Sequence, residues 1–315
     1  MRKPITLLLL LLILAILIAV PWYAPYFYLF LATEILILGL FAASFNLVFG
    51  YTGMLSFGHA AFFGLGAYVT AMLLLALGWP LIYCLAASSV AGALLALVFG
   101  SLSVRLNEIY FAMLTLAFGM LTYSVTHQWR SVTGGSDGIS GFRVGEFGLG
   151  LSLTMANPSV YYWVVLAVVV VATAILYVIT HSSFGLILRA IRLNPERVAF
   201  CGLNIRHYRL ASFVISGAFA GLAGGLMAPF LRIASPELMH WSMSAEPVLM
   251  TILGGVGYFF GPYLGAAIFV LLESWITSYT QYWMLYLGVI LAFMVLFFRR
   301  GVLGTIIDWQ QERGK

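Results

Sequence analysis

The chain has 315 residues, of which 63% are hydrophobic and only 8% charged. A soluble domain carries about 25% charged residues, and a soluble fold with this balance could not cover its own surface with polar groups. The net charge of +5 is scattered between hydrophobic runs, which excludes a nucleic-acid surface. Two cysteines, Cys84 and Cys201, exclude a disulfide framework and a cysteine-rich metal site.

The apolar runs are long and lack period-two alternation, so a β-barrel is excluded. The expected fold class is an all-α integral membrane protein, because lipid tolerates only helices or closed barrels. A span needs about 17–25 residues to cross a core about 30 Å thick. Runs of that kind are expected at 5–20, 26–49, 58–78, 80–100, 109–127, 160–180 and 209–231. A closely joined pair at 246–257 and 260–278 follows, then 280–298, which makes about ten transmembrane segments in one domain over 1–315. Arg2 and Lys3 precede the first run, but Ala15, Ala19 and Ala24 give no A-x-A pattern, so an uncleaved span is expected there.

Charge sets the sidedness. The segment 181–209 carries Arg189, Arg192, Arg197, Arg206 and Arg209 against a single acid, Glu196, and is expected in the cytoplasm. The basic ends, Arg2 and Lys3 and then Arg299 and Arg300, are expected on the same side. The segment 128–159 then lies outside. Its Thr133-Gly134-Gly135-Ser136-Asp137-Gly138 is rich in turn residues, and it suits either a lid or docking surface or a plain connection.

Two glycine-dense stretches interrupt the runs. The first is Gly50-Tyr51-Thr52-Gly53-Met54-Leu55-Ser56-Phe57-Gly58-His59, continuing to Gly64 and Gly66. The second is Thr251-Ile252-Leu253-Gly254-Gly255-Val256-Gly257, followed by Gly261-Pro262 and Gly265. Broken or re-entrant helices are expected here, and broken backbone at membrane depth persists only beside protein or a water-filled cavity. Freed amides at helix N-termini attract carboxylates, so Gly53, Ser56, Gly58, His59, Thr251, Gly254, Gly255 and Gly257 are the candidate pathway residues. Close helix packing is the alternative use of the same glycines.

Within the basic segment, Asn194-Pro195-Glu196 reads as a helix start, with a cap, a proline at the first position and an acid in the first turn. Gly202 suits the stop. Arg197-Val198-Ala199-Phe200-Cys201 between them makes about two turns, too short to be stable alone in water. Such a helix either docks on another subunit, through Val198, Ala199 and Cys201 with Glu196 and Arg197 setting register, or lies on lipid headgroups.

The chain resembles the LivM-type permeases of branched-chain amino acid ABC transporters. The likeness rests on Gly50–Gly53 to Gly58-His59-Ala60-Ala61-Phe62, on Ile109–Gly119, and on Thr133–Gly138. It continues through Phe213-Val214-Ile215-Ser216 to Ala220–Gly225 and through Leu253–Gly257 to Gly261-Pro262, all in family order. The resemblance implies a subunit forming half of a translocation path in a bacterial inner membrane. It implies a second related permease, two cytoplasmic ATPase subunits and an extracytoplasmic solute-binding protein as partners. It also implies that 194–204 is the coupling helix that meets an ATPase. Branched-chain amino acids are the expected solutes, with urea, short amides and aromatic acids as alternatives within the family.

No cofactor is expected on the chain itself. ATP and magnesium would be used by the ATPase partners, since there is no G-x-x-x-x-G-K-[ST] loop and the only lysines are Lys3 and Lys315. No nucleophile–base pair or metal spacing appears, so no catalytic or metal site is expected. Composition alone would equally permit a self-sufficient secondary transporter. Glu34 and Glu273 fall inside apolar runs, where ionisable groups are costly and often functional.

Overall fold

Proline and glycine set many of the helix ends. The computed structural model describes residues 15–23, 25–106, 108–142, 146–148, 151–154, 157–280, 282–297 and 301–305. A helix α1 covers the described residues 15–23. It is followed by α2 (Tyr26–Thr52), α3 (His59–Ala76), α4 (Leu81–Ser103) and α5 (Glu108–Gln128). A connecting region holds α6 (Arg130–Thr133), β1 (Ile139–Ser140), β2 (Glu146–Gly148) and β3 (Leu151–Thr154). Then come α7 (Pro158–His181), α8 (Ser183–Leu193), α9 (Pro195–Phe200), α10 (Ile205–Leu231) and β4 (Ile233–Ala234). The described part ends with α11 (Trp241–Gly254), α12 (Gly261–Thr277) and α13 (Trp283–Phe297), besides the helical residues 301–305.

The all-α membrane fold is present. Six helices, α2, α3, α4, α5, α7 and α10, are long and apolar enough to span, and the protein is a multi-pass membrane protein. Helix α12 is a shorter apolar helix of 17 residues. Helices α11 and α13, of 14 and 15 residues, rise only about 21 to 23 Å, short of a core about 30 Å thick. The expected run 5–20 lies mostly outside the described residues. The expected pair at 246–278 is two short helices that meet at a backbone break.

Helix α10 is the centre of the bundle, packing on α4, α3 and α2. It does so through small residues. A Cβ on Gly66 of α3 would overlap the backbone of Gly221, and one on Gly92 of α4 would overlap Gly217. Lipid offers no hydrophobic drive for helix association, so close backbone approach supplies the attraction through van der Waals contact.

Two pairings fix which ends of the bundle lie together. Strand β1 pairs antiparallel with β4, Ile139 opposite Ala234 and Ser140 opposite Ile233, so the 129–157 connection shares an end with the exit of α10. Strands β2 and β3 pair within that connection. Gly134, Gly135 and Gly138 take positive φ of 78°, 64° and 68° there, and the tightness of the turn brings Gly138 against Ala234 and Ser235. At the opposite end, α8 meets the last turn of α2.

Candidate functional site

Helix α2 stops at Gly53, whose φ of 82° is left-handed; the stop occupies the carbonyls of Phe49 and Val48. Residues 53–58 are then non-helical, and α3 restarts at His59. Helix α11 also stops at a glycine of positive φ, Gly255 at 124°, though outside the left-handed helical region, and residues 255–260 separate it from α12. Both glycine stretches are therefore true breaks in the helical backbone.

The two breaks meet. Asn46 of α2, buried at 2% exposure, accepts the Gly257 amide on Oδ1 at 3.1 Å and donates from Nδ2 to the Tyr258 carbonyl at 3.0 Å. One carboxamide thus pairs both backbone polarities of the second break. Beside it, Arg192 of α8 donates from Nη1 to the Gly50 carbonyl. A Cβ on Gly53 would lie 3.3 Å from the Arg192 side chain, and one on Gly257 would lie 3.1 Å from its Nη1. Arg189, three residues earlier on α8, sits over the Tyr51 ring at 5.2 Å and donates to the Thr180 carbonyl at 2.8 Å. Cations are favoured at this position, where the carbonyls of α2 carry partial negative charge.

Deeper in the bundle, His59 is fully buried. Its ring lies 5.5, 5.4 and 5.6 Å from those of Phe41, Phe45 and Phe62. Its Nε2 lies 3.1 Å from Ser44 Oγ and 3.4 Å from Ser216 Oγ. Each hydroxyl already spends its only hydrogen on a carbonyl, Ser44 on Phe41 and Ser216 on Ser44. The imidazole must therefore donate from Nε2–H, which ties α3 to α2 and α10 at once. His59 Nδ1 and Ser56 Oγ have no hydrogen-bond partner among the described residues.

The predicted pathway residues divide in two. His59 and Ser56 are enclosed; Gly58 packs on the Thr115 carbonyl, and Gly254 packs on Gly261 and Gly265. Thr251 is buried and reaches the Ala42 carbonyl at 3.4 Å, while Gly255 is buried at the stop of α11. Gly53 and Gly257 are only partly covered and lie at the α8 end.

In the basic segment the expected cap forms: Asn194 Oδ1 accepts the Arg197 amide at 3.1 Å, Pro195 takes the first position, and Gly202 has φ 79°. One expectation needs correction. Val198 is 8% exposed and faces the protein, so it does not belong to an outward docking face. Glu196, Arg197, Ala199, Cys201 and Gly202 are exposed. The largest apolar side chains turned outward are Phe200 at 90% and Leu193 at 86% exposure.

Asn46, Arg192, Phe200 and Glu246 are the residues that sequence reasoning did not single out for the site. Glu246 of α11 is near enough to Glu34 of α2 and Glu273 of α12 for their charges to interact, so three partly buried carboxylates gather from three helices. An asparagine inside an apolar run was a readable signal for Asn46, since an unpaired amide there is costly.

A family model described as the branched-chain amino acid transport system permease component matches residues 27–298. The high-affinity branched-chain amino acid transport system permease protein LivM of Escherichia coli (strain K12) is 29% identical over 293 residues, covering 87% of this chain and 69% of that one. The LivH protein of the same system and organism is 25% identical over 286 residues, covering 84% and 90%. A probable branched-chain amino acid permease LivM of Methanocaldococcus jannaschii is 24% identical over 276 residues, covering 75% and 77%. No solved structure gives a significant match.

Proposed function

The chain belongs to the branched-chain amino acid transport permease family, and on that premise we propose that it is the membrane subunit of an ATP-driven importer in a bacterial inner membrane. It forms half of the path for a branched-chain amino acid and pairs with a second, related permease. Relatives named both LivM and LivH match the chain, which supports a pair of related subunits. A binding protein delivers solute to the face carrying the 128–159 connection. Two ATPase subunits supply the energy with ATP and magnesium, and one of them receives α9.

The observation that carries this reading is α9 itself. A six-residue helix capped at both ends, with its own Phe200 and the preceding Leu193 of α8 almost wholly exposed, has a surface to give to another chain. It directly follows α8, whose Arg192 touches both glycine breaks, so force on it has a short route to the membrane interior. Co-purification from native membranes, followed by leucine uptake in proteoliposomes, tests the proposal. ATPase chains should accompany the subunit, and uptake should require ATP inside and binding protein outside. Uptake by the isolated chain without ATPase subunits would make it a self-sufficient carrier instead.

A further inference from the structure

Arg192 touches more of the site than any other side chain of the α8–α9 segment. Its Nη1 holds the Gly50 carbonyl at the end of α2, its methylenes cover Gly53, and its guanidinium lies against Gly257 of the second break. The three positions are glycines, and at Gly53 and Gly257 a side chain would crowd the arginine. A bulkier residue at Gly50 would collide with Asn46, which holds Gly257 from the other side. Asn46 and Arg192 thus pin the second break to α2 from two directions.

Helix α8 is well placed to move Arg192. Its buried residues are Gly185, Leu188 and Ile191, and Gly185 sits against the Thr180 backbone at the sharp junction with α7. Arg189 and Arg192 lie three apart, on one face of the helix; Arg189 grips the Tyr51 ring and Arg192 the next carbonyl toward the membrane. Only Leu193 separates Arg192 from Asn194, the cap of α9. Displacement of α9 must therefore shift the guanidinium, and with it the fit between the two breaks.

We infer that Arg192 is the positioning residue that transmits movement of α9 to both glycine breaks, so that the state of the ATPase sets how the breaks at Gly53 and Gly257 are held together. Asparagine at 46 keeps a fixed hold, while the arginine supplies the movable one. A planar fork suits this role better than an ammonium, because it can hold a carbonyl while lying flat against a glycine. The inference rests on the proposed docking of an ATPase subunit on α9.

The test uses the complete complex in proteoliposomes, with leucine as solute. The wild-type complex is measured first: absence of ATPase chains or of ATP-dependent leucine uptake would remove the underlying reading, and this inference with it. Arg192→Gln is then compared with Arg192→Lys, and uptake per ATP hydrolysed is recorded together with the amount of ATPase co-purified. Arg192→Gln should retain its ATPase subunits yet lose about tenfold or more in uptake per ATP, the size of a typical coupling between sites. Arg192→Lys, which keeps a cation but not the fork, should fall between the two, and it carries the test if the glutamine variant does not assemble. Wild-type uptake per ATP in both variants overturns the inference. Loss of the ATPase subunits from both also overturns it, since Arg192 would then be a docking contact.

Discussion

Asn46 Oδ1 accepts the Gly257 amide at 3.1 Å, across 211 residues of sequence. With Nδ2 on the Tyr258 carbonyl at 3.0 Å, it gives the break after α11 the pairing that a continuous helix would have supplied. Replacing Asn46 with Leu leaves a donor and an acceptor unsatisfied, at a cost of about 1–3 kcal/mol for each group. Asn46→Asp keeps the acceptor for Gly257 but, when ionised, sets a buried carboxylate oxygen against the Tyr258 carbonyl, so it too should unfold below the wild-type temperature. Thermal unfolding of the detergent-purified protein reads this directly, and a leucine variant that unfolds at the wild-type temperature would refute the clamp.

Glycines at helix crossings and glycines in open space should respond in opposite ways. Gly66→Leu would drive a side chain into the Gly221 backbone, whereas Gly288 of α13 has nothing within 4 Å of a Cβ. Overpacking costs about 1–3 kcal/mol even where neighbours can adjust, and backbone cannot give way as a side chain does. Gly66→Leu should lower the yield of monodisperse protein severely. Gly288→Ala should match wild type in size-exclusion chromatography, and its collapse would show that the glycine geometry is misread.

What the sequence revealed is what short-range physics determines. The cap at Asn194, the proline after it and the glycine at 202 each act within a turn of a helix end, so the ends of α9 were legible from the nine residues 194–202. Apolar run length located α2, α3, α4, α5, α7 and α10 for the same reason. Glycine density marked both breaks, because helix interiors disfavour glycine. That the breaks meet was not legible: it depends on Asn46 and Arg192, which lie far from Gly257 in sequence. The direction of Val198 was hidden too, since a six-residue helix has no hydrophobic stripe long enough to show which side its neighbours occupy. Glu246 escaped attention because it stands at the edge of its apolar run, and only the fold brings it to Glu34 and Glu273.

The two cysteines allow a clean test of sidedness. Cys84 is buried and Cys201 exposed, so a membrane-impermeant maleimide should label the wild-type protein at Cys201, and only from the cytoplasmic side. A cysteine at exposed Ser136, on a Cys201→Ser background, should react only from the outer side. Labelling of both positions from the same side would overturn the placement of the 128–159 and 181–209 segments, because the helices between them would then have the wrong parity.

The docking face of α9 can be separated from its inner face by three substitutions. Ala199 and Phe200 are exposed, and Val198 between α9 and the bundle is not. A glutamate at 199 or 200 leaves the isolated subunit undisturbed, because its charge remains in water. On docking, the same charge would be buried without a partner, and a cost of about 3 kcal/mol would weaken association about a hundredfold. Val198→Glu places the charge against the subunit's own core, so its penalty appears before any partner arrives. Ala199→Glu and Phe200→Glu should therefore insert and unfold like wild type yet lose co-purified ATPase, whereas Val198→Glu should unfold at lower temperature by itself. Full ATPase binding and leucine uptake in both exposed-face variants would refute α9 as the contact. Wild-type stability in Val198→Glu would contradict the orientation of the helix, because a carboxylate in that buried position loses most of its water.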